Sequence, residues 1–149
     1  MKLHSPKILT DQRGFTLIEI LVVVMILGIL AAVVVPRLLD APEKAKRTTT
    51  EVQIRSFEQS IARFKLDNGF FPTTEQGLNA LVEKPQTGRI PTHYNAKGYI
   101  KKIPNDPWGN PYIYLSPGIH GDYDIISYGP DGASGGDGDD ADINSWEIE

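Results

Sequence analysis

Five aspartates lie within twelve residues near the C-terminus, the densest group of metal-binding side chains in the sequence. Four glycines and no basic residue lie among them; the aspartates are Asp131, Asp137, Asp139, Asp140 and Asp142. Hard carboxylate oxygens on a flexible backbone suit calcium, which accepts about six to eight oxygen ligands at loose geometry. The pattern therefore favours a calcium loop, and the alternative is a solvated acidic tail.

Two known calcium motifs fit this loop poorly. If Asp131 is the first position of an EF-hand loop, Ala133 and Gly135 occupy ligand positions, and no helix pair flanks the loop. Residues 135–140 match one copy of the repeat of calcium-binding β-rolls, a fold that needs stacked copies. An apolar segment at 143–148 favours a return strand that would close the loop.

A single carboxylate, Glu19, interrupts an otherwise apolar run at residues 15–35. As a helix, this run would be about 31 Å long, which is the thickness of the hydrocarbon core of a bilayer. A carboxylate in hydrocarbon costs at least about 2.5 kcal/mol and usually has a partner. Either Glu19 lies shallow and reaches the headgroups, or it meets a cation held at the same depth by another chain.

The residues before the run predict its orientation and its processing. Three basic residues and one acidic residue lie in positions 1–13, and such positive charge keeps this flank in the cytoplasm. Gly14 is a small residue at the junction. Cleavage there would place a new amine on Phe15, one helical turn from Glu19.

The helical pattern resumes after the apolar run. Large apolar residues recur at spacings of three and four at Ile54, Phe57, Ile61 and Phe64. The dipeptide at 68–69, Asn-Gly, predicts a left-handed C-terminal stop.

Pro36 and Pro42 lie between the apolar and the amphipathic halves. An interior proline removes one backbone hydrogen bond and kinks or locally melts a helix. We therefore expect one long helix with a break or a loosened segment between these two prolines.

Short elements are expected after residue 68. Thr73 and Gln76 have capping-box spacing at the start of a short helix. Strands are expected at 99–103, 112–115 and 123–128. Three short strands against the amphipathic helix predict a small α+β domain.

Several classes of function are excluded by composition. The chain has no cysteine, and its three histidines lack metal-ligand spacing. Neither a nucleophile elbow nor a phosphate-binding glycine loop is present in the sequence. Ten acidic residues follow Lys102, the last basic residue, so the C-terminal third should repel nucleic acid. The sequence predicts neither an enzyme nor a nucleic-acid-binding protein.

Residues 13–19, R-G-F-T-L-I-E, resemble the class III signal of type IV pilins and pseudopilins. In that superfamily a prepilin peptidase cuts after the glycine and methylates the new terminal phenylalanine. Further motifs resemble the major pseudopilins of type II secretion systems: F-K-L-D-N at 64–68, P-T-T-E-Q-G-L at 72–78, D-P-W-G-N-P-Y at 106–112, and D-A-D-I at 140–143 with Trp146.

The resemblance implies roles for individual residues. It implies cleavage between Gly14 and Phe15, N-methylation of Phe15 and an assembly role for Glu19. It also implies a Ca²⁺ site formed by Asp131, Asp140 and Asp142 with the main-chain carbonyls of Tyr128 and Ala133, while Asp137 and Asp139 are either ligands or local charge.

The implied fold is α+β, with a long N-terminal helix packed on a small antiparallel sheet and a C-terminal calcium-binding loop. The expected organisation is a leader at 1–14, a transmembrane and filament-core helix at 15–36, and a periplasmic domain at 37–149. Within that domain we expect an amphipathic helix to about 68, a variable loop at 69–98, short strands at 99–128 and the acidic loop at 129–149.

The implied function is that of a structural subunit polymerising into the periplasmic pseudopilus of a type II secretion system, which drives export of folded proteins across the outer membrane. The expected partners are further copies of the chain, minor pseudopilins, the prepilin peptidase, the inner-membrane assembly platform and, before assembly, lipid. The expected location is the bacterial inner membrane, with a single pass and a periplasmic C-terminal domain. The alternatives are a type IV pilin or competence pseudopilin, and a single-span enzyme or receptor.

Overall fold

The computed structural model describes residues 14–148, and of residues 35–41 it describes only the backbone. The chain divides into two compact units, Met1–Asp40 and Ala41–Glu149. The predicted leader at 1–14 therefore lies outside the described residues, except for Gly14.

Helix α1 spans Leu17–Asn68 and contributes to both units. It ends where the sequence predicts, because Gly69 follows with a φ of 79°, a left-handed conformation that suits glycine. The helix continues without interruption across Pro36 and Pro42, so its described backbone does not contain the break expected at Pro36. A proline can kink a helix without ending it when the flanking backbone hydrogen bonds persist. Loosening of this segment in a filament stays a prediction.

One face of α1 forms the core of the C-terminal unit. Ile54, Phe57, Ile61 and Phe64 are at most 2% exposed, which confirms the predicted apolar face. They pack in one cluster with the strands and with a short 3₁₀ helix at Leu78–Leu81. Each such buried side chain stabilises the fold by about 1.5–3 kcal/mol.

Three short strands form one antiparallel sheet in the order β1-β2-β3. Their bounds are Ile113–Leu115 for β1, Asp124–Ser127 for β2 and Ile143–Asn144 for β3. In the register, Ser127 on β2 lies opposite Ile143 on β3. β3 is therefore the return strand expected after the acidic loop, and the loop is closed between two paired strands.

The prediction of a strand at 99–103 is wrong, because the described structure has no strand in this segment. The backbone N–H groups of Tyr99 and Ile100 instead donate to the carbonyl of Leu81, at 2.7 and 3.1 Å. Gly98, with a φ of 69°, comes so close to Val82 that an added Cβ would lie 2.5 Å from its carbonyl oxygen. The segment is held against the 3₁₀ helix, and its apolar residues do not form a sheet.

The capping box predicted at residues 73–76 is confirmed. The N–H of Thr73 donates to Gln76 Oε1 at 3.1 Å, and the N–H of Gln76 donates to Thr73 Oγ1 at 3.3 Å. A turn and the 3₁₀ helix follow, where the sequence predicts a short helix.

Two buried tyrosines connect the sheet region to its surroundings. The hydroxyl of Tyr114 donates to the Pro72 carbonyl at 2.9 Å, and that of Tyr112 donates to Gln53 Oε1. Burial raises the pKa of Tyr112 and of Tyr114 to about 12. Because the folded state favours the neutral hydroxyls, their contribution to stability is complete below about pH 10 and is lost as the pH rises towards 12.

We expect Phe64→Ala to lower the free energy of unfolding by about 3–5 kcal/mol, because it leaves a cavity in the core. Leu66→Ala is the matched control, since Leu66 is 84% exposed on the same helix, and it should change stability by less than about 0.5 kcal/mol. Urea denaturation of the chain in detergent, followed by tryptophan fluorescence, measures both. Equal losses in the two variants would contradict the placement of the core.

Candidate functional site

The predicted processing junction lies at the start of the described chain. Gly14 and Phe15 precede α1, and the Phe15 side chain is 82% exposed. A Cβ added to Gly14 would have no atom of the described residues within 4 Å. Packing among the described residues therefore places no demand on glycine at position 14.

Glu19 closes a capping box with Thr16 at the first turn of α1. Its Oε2 accepts the backbone N–H of Thr16 at 2.8 Å and the Thr16 hydroxyl at 2.9 Å. The N–H of Glu19 in turn donates to Thr16 Oγ1 at 3.3 Å. The carboxylate thus satisfies a free N–H group at the helix start, which the sequence analysis did not predict.

The segment Leu17–Val34 of α1 is apolar and long enough to cross a membrane by length and composition, and none of it is buried by the described residues. Its large side chains expose between 45% and 84% of their surface; Val22 and Leu17 are the two extremes. A contiguous apolar surface of this size marks a site of contact with lipid or protein.

In the acidic loop, left-handed glycines bring backbone segments close together. A 3₁₀ turn at Gly138–Asp140 lies between β2 and β3. Gly136, with a φ of 90°, packs so closely that an added Cβ would lie 2.4 Å from the Asp140 carbonyl oxygen. Gly135, with a φ of 101°, has no atom within 4 Å of that position. Gly136 is therefore required both by its conformation and by this contact.

Two of the three main predicted calcium ligands accept hydrogen bonds from the loop itself. Asp131 Oδ1 accepts the N–H of Ala133 at 3.1 Å, and Asp142 Oδ2 accepts the N–H of Gly135 at 2.9 Å. Asp142 Oδ1 is buried and has no hydrogen-bond partner among the described residues. A buried, unpartnered carboxylate oxygen is costly and fits a site that takes a cation.

The remaining predicted ligands are placed by the same loop but are not brought together. Asp137, Asp139 and Asp140 are exposed. Tyr128 follows β2 directly, which places its carbonyl at the start of the loop. Within residues 14–148 no group of three or more His, Cys, Asp or Glu side chains is arranged to hold a metal ion. The donor chemistry fits calcium, whereas the carboxylates of the described loop have not converged.

A network of polar side chains holds the start of the acidic loop. Asp106, which is 4% exposed, accepts the Ser127 hydroxyl at 2.7 Å on Oδ2. Its Oδ1 accepts the N–H groups of Trp108 and Asn110 at 3.1 and 2.7 Å. Asn110 Nδ2 donates to the carbonyl of Gly129 at 2.8 Å. The motif at 106–112 thus fixes the point where the loop leaves β2.

Arg47 on α1 supports the other end of the loop. Its Nη1 donates to the carbonyls of Ala141 and Asp139 at 2.8 and 3.3 Å. Neither Arg47 nor the Asp106 network was predicted from the sequence. A local signal existed for Arg47, because it precedes Ile54 by two helical turns and therefore lies on the core face of α1.

Comparisons with known proteins agree with these features. A family model described as "Type II secretion system (T2SS), protein G" matches residues 37–146, and a "Prokaryotic N-terminal methylation motif" matches residues 9–35. The chain is 52% identical to the type II secretion system core protein G of Pseudomonas aeruginosa over 137 residues, which cover 92% of this chain and 96% of that protein. It is 51% identical to the core protein G of Vibrio cholerae over 143 residues, covering 96% and 97%.

A solved structure is also similar. It is the crystal structure of the major pseudopilin from the type 2 secretion system of enterohaemorrhagic Escherichia coli, with a TM-score of 0.67 and 42% identity. The similarity covers 76% of this chain and 96% of that one.

The exposed apolar helix with a methylation motif, followed by a small α+β domain, defines the class of pilin-like subunits. The chain belongs to the type II secretion system protein G family. Membership of this family makes it a structural pseudopilin subunit and not an enzyme. The match over residues 37–146 also favours secretion over the pilin and competence alternatives.

We expect Gly136→Ala to loosen the acidic loop more than Gly135→Ala does. Both variants place alanine in a left-handed conformation, which costs about 1–2 kcal/mol. Only the Cβ at position 136 also collides with the Asp140 carbonyl. Hydrogen exchange of loop peptides, read by mass spectrometry, should be faster in Gly136→Ala, and equal rates would contradict the close packing.

Proposed function

We propose that the chain is held in the inner membrane by the Leu17–Val34 segment and is then transferred into a periplasmic filament of its own copies. The observation that carries this proposal is that the described part of the chain buries none of that segment. An apolar surface this large needs lipid around it or other helices against it. Repeated heterologous contacts between identical subunits produce an open helical polymer, so one type of subunit can build a filament.

In this proposal Glu19 sets the register between neighbouring subunits. Cleavage after Gly14 would create a cationic amine on Phe15, at the same depth as the Glu19 carboxylate of a neighbour. In a low-dielectric helix bundle an unpaired charge is costly, so subunits would dock where the two charges meet. The contact with Thr16 holds the carboxylate at the start of the helix before any partner arrives.

Calcium would hold the C-terminal loop in the folded domain. Asp131, Asp140 and Asp142 are the proposed side-chain ligands, and Tyr128 and Ala133 the proposed carbonyl ligands. The ion would supply the positive charge that five neighbouring aspartates otherwise lack, and the ligand oxygens would coordinate it. The proposal is supported by the buried, unpartnered Oδ1 of Asp142.

The remaining partners follow from the same sequence of events. The prepilin peptidase would process the junction at Gly14, and the assembly platform would move subunits from lipid into the filament. Minor pseudopilins would occupy positions that identical subunits cannot, and the C-terminal domain would lie in the periplasm.

We expect Glu19→Ala to insert into membranes normally but to form no filaments, because the charge that pairs with Phe15 is lost. Glu19→Gln separates pairing from capping, since its amide oxygen still accepts from Thr16 but carries no charge. The proposal requires both variants to fail, as measured by filament yield after shearing and by membrane fractionation.

Thr16→Ala is the control, because it weakens the cap while leaving the carboxylate in place. Filaments from Glu19→Gln at the yield of the unmodified chain would show that capping alone is the role of this residue.

We expect calcium to raise the thermal stability of the chain in detergent and to protect the acidic loop from proteolysis. At a free concentration of 100 times the dissociation constant, binding to one site contributes about 2.7 kcal/mol. Asp142→Asn should abolish most of the effect, whereas Asp122→Asn should retain it, because Asp122 is exposed outside the loop.

Differential scanning fluorimetry with calcium and with excess chelator measures the stability difference. If chelator leaves both stability and protease resistance unchanged, the calcium site must be abandoned.

A further inference from the structure

Arg47 is placed by the core of the C-terminal unit and reaches into the acidic loop. It begins the stripe that continues through the buried Thr50 and Ile54, at spacings of three and four. Arg47 is half-buried, and its guanidinium hydrogen-bonds residues more than ninety positions away in the chain. Among the described residues, no other side chain of α1 hydrogen-bonds this loop.

The two carbonyls that Arg47 holds have a specific position relative to the carboxylates. Asp139 immediately precedes Asp140, and Ala141 immediately precedes Asp142. Each hydrogen bond therefore fixes the peptide group directly before a proposed calcium ligand. The intervening carbonyl, that of Asp140, packs against Gly136.

The guanidinium leaves the carboxylates available. Within residues 14–148 no ion pair joins Arg47 to a loop aspartate, although arginine pairs readily with carboxylates. Among the described residues, its hydrogen bonds go only to main-chain oxygens of the loop. A residue that replaced a missing cation would instead bind the aspartate oxygens themselves.

We propose that Arg47 is a positioning residue for calcium, which orders the backbone around Asp140 and Asp142 so that their carboxylates can converge on the ion. This inference rests on the calcium binding proposed above. Residues that orient metal ligands without touching the metal typically change its affinity by about 10–100-fold when they are replaced.

The alternative, that Arg47 acts as a substitute cation, predicts the opposite sign. If Arg47 positions the ligands, its removal lowers the population of the binding-competent loop and raises the calcium dissociation constant. If it substitutes for calcium, its removal abolishes a competing positive charge and lowers that constant. The direction of the change therefore decides between the two roles.

The test uses the full chain in detergent with Arg47→Met, which removes the donors but keeps an unbranched stem for packing. Arg47→Lys retains a cationic donor, and Arg63→Met is the matched control, because Arg63 is exposed on the same helix. Calorimetric calcium titration gives the dissociation constant, and hydrogen exchange with excess chelator reports the order of loop peptides independently of calcium.

We expect Arg47→Met to raise the calcium dissociation constant about tenfold and to accelerate exchange in the loop in chelator, while Arg63→Met changes neither. Arg47→Lys should recover part of both losses. Near-ultraviolet circular dichroism checks that each variant keeps the tertiary structure of the domain, so that a change in affinity is assigned to the loop.

Failure of the calcium site and failure of the role of Arg47 give different results. An unmodified chain that binds no calcium overturns the calcium site, and the role of Arg47 falls with it. An unmodified chain that binds calcium, with Arg47→Met binding it equally well or more tightly, overturns only the role of Arg47.

Discussion

The buried face of α1 is the interaction on which the rest of the C-terminal unit depends. Strands of two to four residues are too short to be stable as an isolated sheet, and the chain has no cysteine to cross-link them. The helix supplies the missing apolar surface through Ile54, Phe57, Ile61 and Phe64. Because the strands pack on that face, the two ends of the acidic loop are fixed where β2 and β3 pair.

The loop itself contributes little apolar burial and is therefore held by polar contacts at its ends. Asp106 is a buried carboxylate, which is tolerable because both of its oxygens accept hydrogen bonds. Through Ser127 and Asn110 it fixes the first end of the loop, and Arg47 fixes the second. Between these supports the carboxylates stay exposed or incompletely satisfied, a state that hydration or a bound cation can stabilise.

Local rules account for the parts of the fold that the sequence predicted. The period of apolar residues predicted the core face of α1, and the Asn-Gly pair predicted where the helix ends. The spacing of Thr73 and Gln76 predicted the reciprocal hydrogen bonds between them. The return strand followed from the apolar residues after the loop. Each of these features depends on residues within one turn or one strand of each other.

The missed contacts join residues that are distant in the sequence: a local pattern places Arg47 on the core face of α1 but does not identify its partners. Arg47 meets carbonyls more than ninety residues away, and Asp106 meets a serine twenty-one residues away. Residues 99–103 have strand-like composition, but the N–H groups of Tyr99 and Ile100 donate to the Leu81 carbonyl. The proposed calcium ligands Asp131, Asp140 and Asp142 rest on a resemblance, and composition alone does not separate them from Asp137 and Asp139.

The capping box at Thr16 changes how the role of Glu19 must be understood. A carboxylate has about four lone-pair sites, and the described contacts with Thr16 use Oε2 alone. Glu19 can therefore keep its cap and still accept a cationic donor from another chain on Oε1. Capping and pairing are then successive uses of one side chain. The cap orders the carboxylate at the helix start, which lowers the entropic cost of forming the later ion pair.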